Sequence, residues 1–400
     1  MKFWKRASGA LKDRRSLLKA SFTQRSEFRN PDIEAVVIKA TTHDESRVDY
    51  RNAQRVFAWV RISDDYLRQV LWALSHRMWR THDWVVVLKG LMLLHGVFCC
   101  KVPGIQEIGR LPFDMMNFKD KHTKRGKLMG LNEFIRAYYA FLDEKSSFIF
   151  FHSQEQRDRR VKERMASLSR NASIEEHKEK SMIQDLIWMQ NLQGLLDLLL
   201  HIRPKSKQML NVLVLEAMDC VVIEIYDICG RICNGIGSVL ATIYSAGEYG
   251  AKMALSIMQK AKVHREELPL YLEFCREIGV GNASECPKME EIPEERMREL
   301  EQIINRNSEQ PKTEQSPNEE DKSIIFVEHH NLMKTDDLDN SKLSLKTVIT
   351  DDWEVFQDQH QKSNQDLELI DLCSSPAKNN ARINHLVQQN IVELPDLISF

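Results

Sequence analysis

Residues 83–100 read DWVVVLKGLMLLHGVFCC, apolar on nearly every side of a helix and interrupted only by Lys89 and His95. A helix that is apolar all round sits among other helices, and Asp83 is placed to cap this one. A membrane span is the competing reading. The run is at the short limit of roughly 17 residues and carries a charge near its middle, so a buried central helix is expected.

Other helices follow the same logic. Asn30 caps and Pro31 opens a helix whose Ile33, Val36, Val37 and Ala40 repeat every 3.6 residues, leaving Lys39 off the stripe. Ser46-x-x-Asp49 has the form of a capping box for the next helix, at 49–61, and a further amphipathic helix is expected over 65–80. After an irregular stretch at 113–118 and a basic loop at 119–127, Leu131, Phe134, Ile135, Tyr138 and Leu142 mark a helix to Lys145. Residues 154–184 are charged and nearly free of large apolar side chains, which predicts an exposed loop. Helical periodicity returns at 185–203, which Pro204 closes, and at 208–233 and 238–262, parted by Gly235-Ile236-Gly237. Helices over 268–278, with Pro269 in its first turn, and 294–304 end the series. No run alternates as a strand would. The expected form is all-α: a right-handed helical solenoid at 1–153, a helical extension at 185–304 and a disordered acidic tail at 305–400.

Charge sharpens this picture. Residues 1–47 hold eleven Lys or Arg against six acids, whereas residues 301–400 hold nine against nineteen. A basic start suits an anionic partner, membrane or nucleic acid. Nucleic acid is set aside, since no recognised binding motif is present and the acidic tail repels phosphate. Phe3, Trp4, Leu11, Leu17 and Leu18 among basic residues suit a helix lying on an anionic bilayer, or equally a first helix packed on the core.

No continuous apolar stretch marks a secretory signal at the start. The eight cysteines lie mostly in apolar helical sequence, as expected of reduced thiols in the cytosol, which leaves the sequons at Asn171 and Asn282 idle. No phosphate-binding loop, zincin motif or nucleophile elbow occurs, so an enzyme and a cofactor are not expected. Cys229 and Cys233 share a helical face without further ligands, and no metal is expected there. His95 reads as a hydrogen-bonded core histidine.

Four blocks, in order, carry a resemblance: 38–45 (IKATTHDE), 84–89 (WVVVLK), 117–121 (NFKDK) and 134–145 (FIRAYYAFLDEK). They resemble the ANTH-domain clathrin assembly adaptors, in overall form the plant proteins of that kind, and residues 192–303 are similar to that family's helical extension. The resemblance implies an ENTH/ANTH-like solenoid binding phosphatidylinositol 4,5-bisphosphate on the cytosolic leaflet. It also implies a tail recruiting clathrin and other coat adaptors at coated pits, coated vesicles and the Golgi. The extension would hold vesicle SNAREs along the apolar residues of 208–262, whose other reading is interhelical core.

The family's lipid site is a Lys followed, after nine residues, by Lys-x-Lys/Arg-His/Tyr. Lys39 matches the first Lys, but the cluster here is Asp49-Tyr50-Arg51-Asn52, so only Lys39 and Arg51 carry over, with Arg47 as a local addition. Headgroup contact is alternatively shifted to Lys12, Arg14, Arg15 and the 119–127 loop. In the tail, Leu367-Glu368-Leu369-Ile370-Asp371 and Leu369-Ile370-Asp371-Leu372 each approach a clathrin box, one with Glu second and one ending at Cys373. The second functional class is a helical protein-binding scaffold that has lost phosphoinositide recognition.

Overall fold

Helix α5 (Trp84–Cys99) lies at the centre of the fold, buried along almost its whole length. The structure is a computed structural model that describes residues 2–22, 24–121, 125–168, 174–242, 247–284 and 291–308. The acidic tail and its expected clathrin contacts, Leu367, Leu369, Ile370, Asp371 and Leu372, lie outside the described residues. Around α5 stand α1 (Lys2–Ser21), α2 (Pro31–Ala40), α3 (Tyr50–Ile62) and α4 (Asp64–Trp79) on the amino-terminal side. The carboxy-terminal side holds α6 (Arg125–Leu168), α7 (Ile174–Leu200), α8 (Val212–Thr242), α9 (Glu248–Glu277) and α10 (Glu294–Ser308). Among the described residues there is no strand, only an isolated bridge between Ser26 and Arg29.

The expected caps are present. Asn30 accepts from the Asp32 N–H with Pro31 in the first turn, and Asp83 accepts from the Val85 N–H; Ser63, not foreseen from the sequence, caps α4. Helix α3 differs from its predicted start. Asp49 is its N-cap, accepting from the Asn52 N–H at 3.1 Å, while Ser46 is bound to Asp44 instead of opening a capping box.

Four further expectations are corrected. Residues 154–168 and 174–184 are helical rather than looped, because Glu, Gln, Lys and Arg are good helix formers that need no core once α6 and α7 are anchored elsewhere. The basic loop is likewise shorter, since α6 begins at Arg125. Helix α8 runs unbroken through Gly235-Ile236-Gly237. A Cβ at Gly235 would stand 2.0 Å from Met189 Sδ, so the glycine admits α7 against α8 and its cost of about 1 kcal/mol in helix propensity is offset by packing. Pro269 sits inside α9, which continues past it with one backbone hydrogen bond fewer.

Packing follows chain order. Helix α1 lies on α2, which meets α3 and α4; α5 touches α3, α4, α6 and α8; α7 is framed by α6, α8 and α9, and α10 lies on α9. One apolar cluster runs from Ile33 to Leu300 through all of these except α1. Each fully buried Leu, Ile or Phe in it contributes roughly 1.5–3 kcal/mol.

Gly96 on α5 shows how closely these helices approach, since a Cβ there would fall 2.3 Å from the Phe57 ring. Gly96→Ala gains about 1 kcal/mol of helix propensity but forces that ring aside, so a net loss of roughly 1–2 kcal/mol is expected. Adding Phe57→Leu should restore part of it. Thermal denaturation of the three chains checks this, and a Gly96→Ala chain melting at or above the wild type would refute it.

Candidate anion-binding site

Helix α1 is fastened by a buried acid in a basic stretch. Asp13 accepts from the His43 backbone N–H at 2.9 Å and lies 2.8 Å from His43 Nδ1, while Arg77 Nη2 donates to the same carboxylate at 2.6 Å from α4. Arg77 reaches on to the Thr41 carbonyl at 2.9 Å and Ser16 Oγ at 3.3 Å. Burial alone would push the Asp13 carboxyl up, but the hydrogen bonds from His43 and the charge of Arg77 outweigh it and hold it below its ordinary range. Gly9 permits the close approach, because a Cβ there would meet His43 Cβ at 2.7 Å.

Lys89 supports the 41–46 turn from beneath. Its Nζ donates to the Asp44 carbonyl at 2.7 Å and to Thr42 Oγ1 at 3.2 Å, and burial pushes its ammonium down to about 8. Asp44 takes the Ser46 N–H and hydroxyl, which closes the turn. Braced from α1, α4 and α5, the turn presents Glu45, Ser46 and Arg47 to solvent.

The six predicted lipid contacts separate into two places. Lys39, Arg47 and Arg51 are exposed at the end of α2, in the turn and in the first turn of α3; Arg47 Nε is 3.8 Å from Asp44. Lys12 and Arg15, exposed on α1, instead line a cavity of about 500 Å³ walled by α1, α2 and α4. Arg14 is exposed outside that lining.

Sequence reading missed the rest of this cavity: Lys19, Arg29, Arg77, Arg80, His43, His76 and His82 also line it, with Glu34 and Asp83 as its acids. Arg29 is matched by Glu34 at 2.7 Å and Arg77 by Asp13, which leaves Lys12, Arg15, Lys19 and Arg80 against Asp83 alone. His76 registers that field. Burial, then Arg80, and also Arg29 hold it below its usual value, and its Nε2 lies 3.1 Å from Arg80 Nη1. Beside the cavity, α1 presents Leu11 and Leu18, 66% and 60% exposed, with Phe22 just beyond at 84%. Arg15 falls on the same helical edge at four residues from Leu11.

A second polar cluster lies in the core. His95, Cys99 and Glu224 bring ligand-type atoms within 4.8 Å of one another. Lys145 Nζ lies 2.6 Å from Glu224, Tyr138 Oη 2.8 Å from His95 Nδ1, and Glu224 3.2 Å from His95 Nε2. The ammonium thus supplies the positive charge that a metal would bring. Burial would raise the Glu224 carboxyl, but Lys145 and His95 hold it well below the ordinary range. No described helix is long and apolar enough to cross a membrane.

The ANTH domain family model matches residues 32–306. Two Arabidopsis thaliana proteins, each named "Putative clathrin assembly protein", are 45% identical over 381 residues and 43% identical over 406. The first alignment covers 92% of this chain and 93% of the relative; the second covers all of both. A third so named, from the same plant, is 37% identical over 306 residues, 76% of this chain and 82% of its own.

Asp13→Asn leaves Arg77 buried without its counter-charge, a change worth about 3–5 kcal/mol. Amide exchange in residues 6–21 should accelerate at least about a hundredfold while α5 stays protected. Because the folded-state carboxyl lies below the ordinary 3.8, its stabilisation is complete above that pH and is lost as pH falls through the lower folded value. Asp13→Asn should remove that acid step; unchanged exchange and an unchanged acid profile would show that α1 is fastened by something else.

Proposed function

The chain belongs to the ANTH domain family, and from that we propose a peripheral adaptor that grips phosphoinositide-bearing membranes with its α1–α4 end and recruits clathrin with residues beyond 308. The cationic cavity is the observation that supports the lipid half. Lys12, Arg15 and Lys19 form no ion pair with another described residue, and a multiply charged phosphoryl headgroup would satisfy them together with Arg80. Leu11, Leu18 and Phe22 at the cavity's edge would enter the acyl boundary as the headgroup is held. Lys39, Arg47, Arg51 and Arg14 would add long-range attraction of about 1 kcal/mol each near an anionic surface.

Clathrin contact is assigned to Leu367, Leu369, Ile370, Asp371 and Leu372, on the strength of the near-box sequence and of the relatives' names. A scaffold without lipid recognition is favoured by one observation, that Asp49 stands where the family's cluster begins with Lys and is used there as a cap. Vesicle binding separates the two readings.

Sedimentation with vesicles containing phosphatidylinositol 4,5-bisphosphate should show Lys12→Ala/Lys19→Ala weakening binding by roughly thirtyfold, from ~2 kcal/mol for two cations. Lys39→Ala/Arg51→Ala should cost less than that pair, and both losses should shrink as salt is raised. Wild-type chain that stays in the supernatant at physiological salt would select the scaffold reading. Deleting residues 366–372 should abolish clathrin capture by the full chain, and undiminished capture would move that contact elsewhere.

A further inference from the structure

Far from the cationic end, α6 and α7 leave a groove of about 370 Å³ between them. Its α6 wall is Glu144, Phe148, Phe151, His152 and Glu155, a stripe at helical spacing with an acid at each end. Its α7 wall carries Trp188, Asn191, Gly194, Leu195 and Leu198. The lining includes no Lys or Arg.

Three observations make this more than a packing gap. Phe151 is 64% exposed although it stands next to the core helices, so apolar surface is left uncovered here. Trp188 Nε1 is buried and lacks an acceptor, an arrangement that costs about 1–3 kcal/mol until one is supplied. A Cβ at Gly194 would meet nothing within 4 Å, so the α7 wall is recessed at that point. Arg231 stacks on Phe148 and Trp188 without entering the lining. Arg110 is matched at 2.6 Å by Asp143 and lies 3.4 Å from Glu144, while Glu155 has no ion pair among the described residues. The groove therefore carries negative charge at both ends.

We propose that this groove docks a short extended peptide of a partner protein that has two large apolar side chains flanked by Lys or Arg. An extended chain laid along the α6 stripe between its two acids presents alternate side chains to the groove. Glu144 and Glu155 are eleven residues apart on α6, about 16 Å at the helical rise. An extended chain at ~3.3 Å per residue covers that span in about five residues, with side chains at alternate positions facing the groove. Keeping both cations and both apolar side chains on one face of the strand gives cation, any, apolar, any, apolar, any, cation, whose ~20 Å the flexible Lys or Arg arms adjust to the acids. A main-chain carbonyl of such a peptide is the natural acceptor for the Trp188 indole, and Gln190 and Asn191 at the rim offer further peptide-binding amides.

The test uses the full chain and a labelled heptapeptide, Lys-Ser-Leu-Ser-Leu-Ser-Lys, with a second peptide that has Glu at both ends, read by fluorescence polarisation. Saturable binding of the Lys peptide is expected, at least tenfold tighter than the Glu peptide. Glu144→Lys/Glu155→Lys, confined to the groove's acids, should erase that preference. Gly194→Leu fills the recess while raising helix propensity, so the chain stays folded and binding should be lost; circular dichroism checks the fold. Equal affinity for both peptides, wild-type binding by Gly194→Leu, or no saturable binding up to millimolar peptide would each overturn the proposal. A dimer by light scattering that Gly194→Leu dissolves would also overturn it, by making a second copy the occupant.

Discussion

Two polar side chains on an otherwise apolar helix set the terms for the structure. A buried amine or imidazole costs several kcal/mol unless partners meet it, so α5 can stay at the centre only if its neighbours bring those partners to fixed positions. Lys89 is met by the Asp44 carbonyl and Thr42, which fixes the turn between α2 and α3. His95 is met by Tyr138 of α6 and Glu224 of α8, and Glu224 by Lys145. One helix thereby locks the amino-terminal stack at one point and the extension at another, less than two turns apart. Apolar burial supplies most of the stabilisation, while these contacts choose among the ways the helices could be stacked.

The cationic face follows from the first of these points. With the turn held by Lys89, His43 and Thr41 are in place to receive Asp13 and Arg77, and α1 can be docked by charge rather than by an apolar stripe. Only Gly9, Asp13 and Ala20 of its described side chains are buried. A helix held this way has its leucines left over for the outside, next to its lysines and arginines. That is the reverse of the usual amphipathic arrangement, and it is what an anionic bilayer requires of a surface helix.

How far this was readable depended on whether a signal was local. The central helix, the Asn30-Pro31 start and the Asp83 cap were legible because hydropathy and capping act over a few residues. Asp13 carries no local signal, since its partner Arg77 is 64 residues away. The cavity was half legible. Lys12, Arg14 and Arg15 stand close together in the sequence, whereas the helical period selects Lys12, Arg15 and Lys19 and leaves Arg14 out, as the lining does. The Gly235-Ile236-Gly237 break and the 154–184 loop failed for one reason: helix-breaking and loop-like compositions describe an isolated chain, and contact with Met189 or continuation from an anchored helix overrides them.

The acid at Asp49 deserves the same physical reading. At the N-terminus of α3 it accepts from the Asn52 N–H at 3.1 Å and the Asn52 amide at 2.7 Å, a cap worth about 0.5–2 kcal/mol with the helix dipole in its favour. A lysine in that position would face the positive end of the dipole and leave those donors unmet. The next residue points the same way, since the Tyr50 hydroxyl donates to Glu216 of α8 and so ties the start of α3 to the extension. The first turn of α3 is therefore committed to holding helices together, and Lys39 and Arg51 alone make a thin cationic patch. Positive charge is denser one helix away, where α1 and α4 contribute it and Asp13, buried beneath, neutralises only Arg77. The headgroup proposed above would be drawn toward the larger unpaired charge, and in this chain that charge lines the cavity.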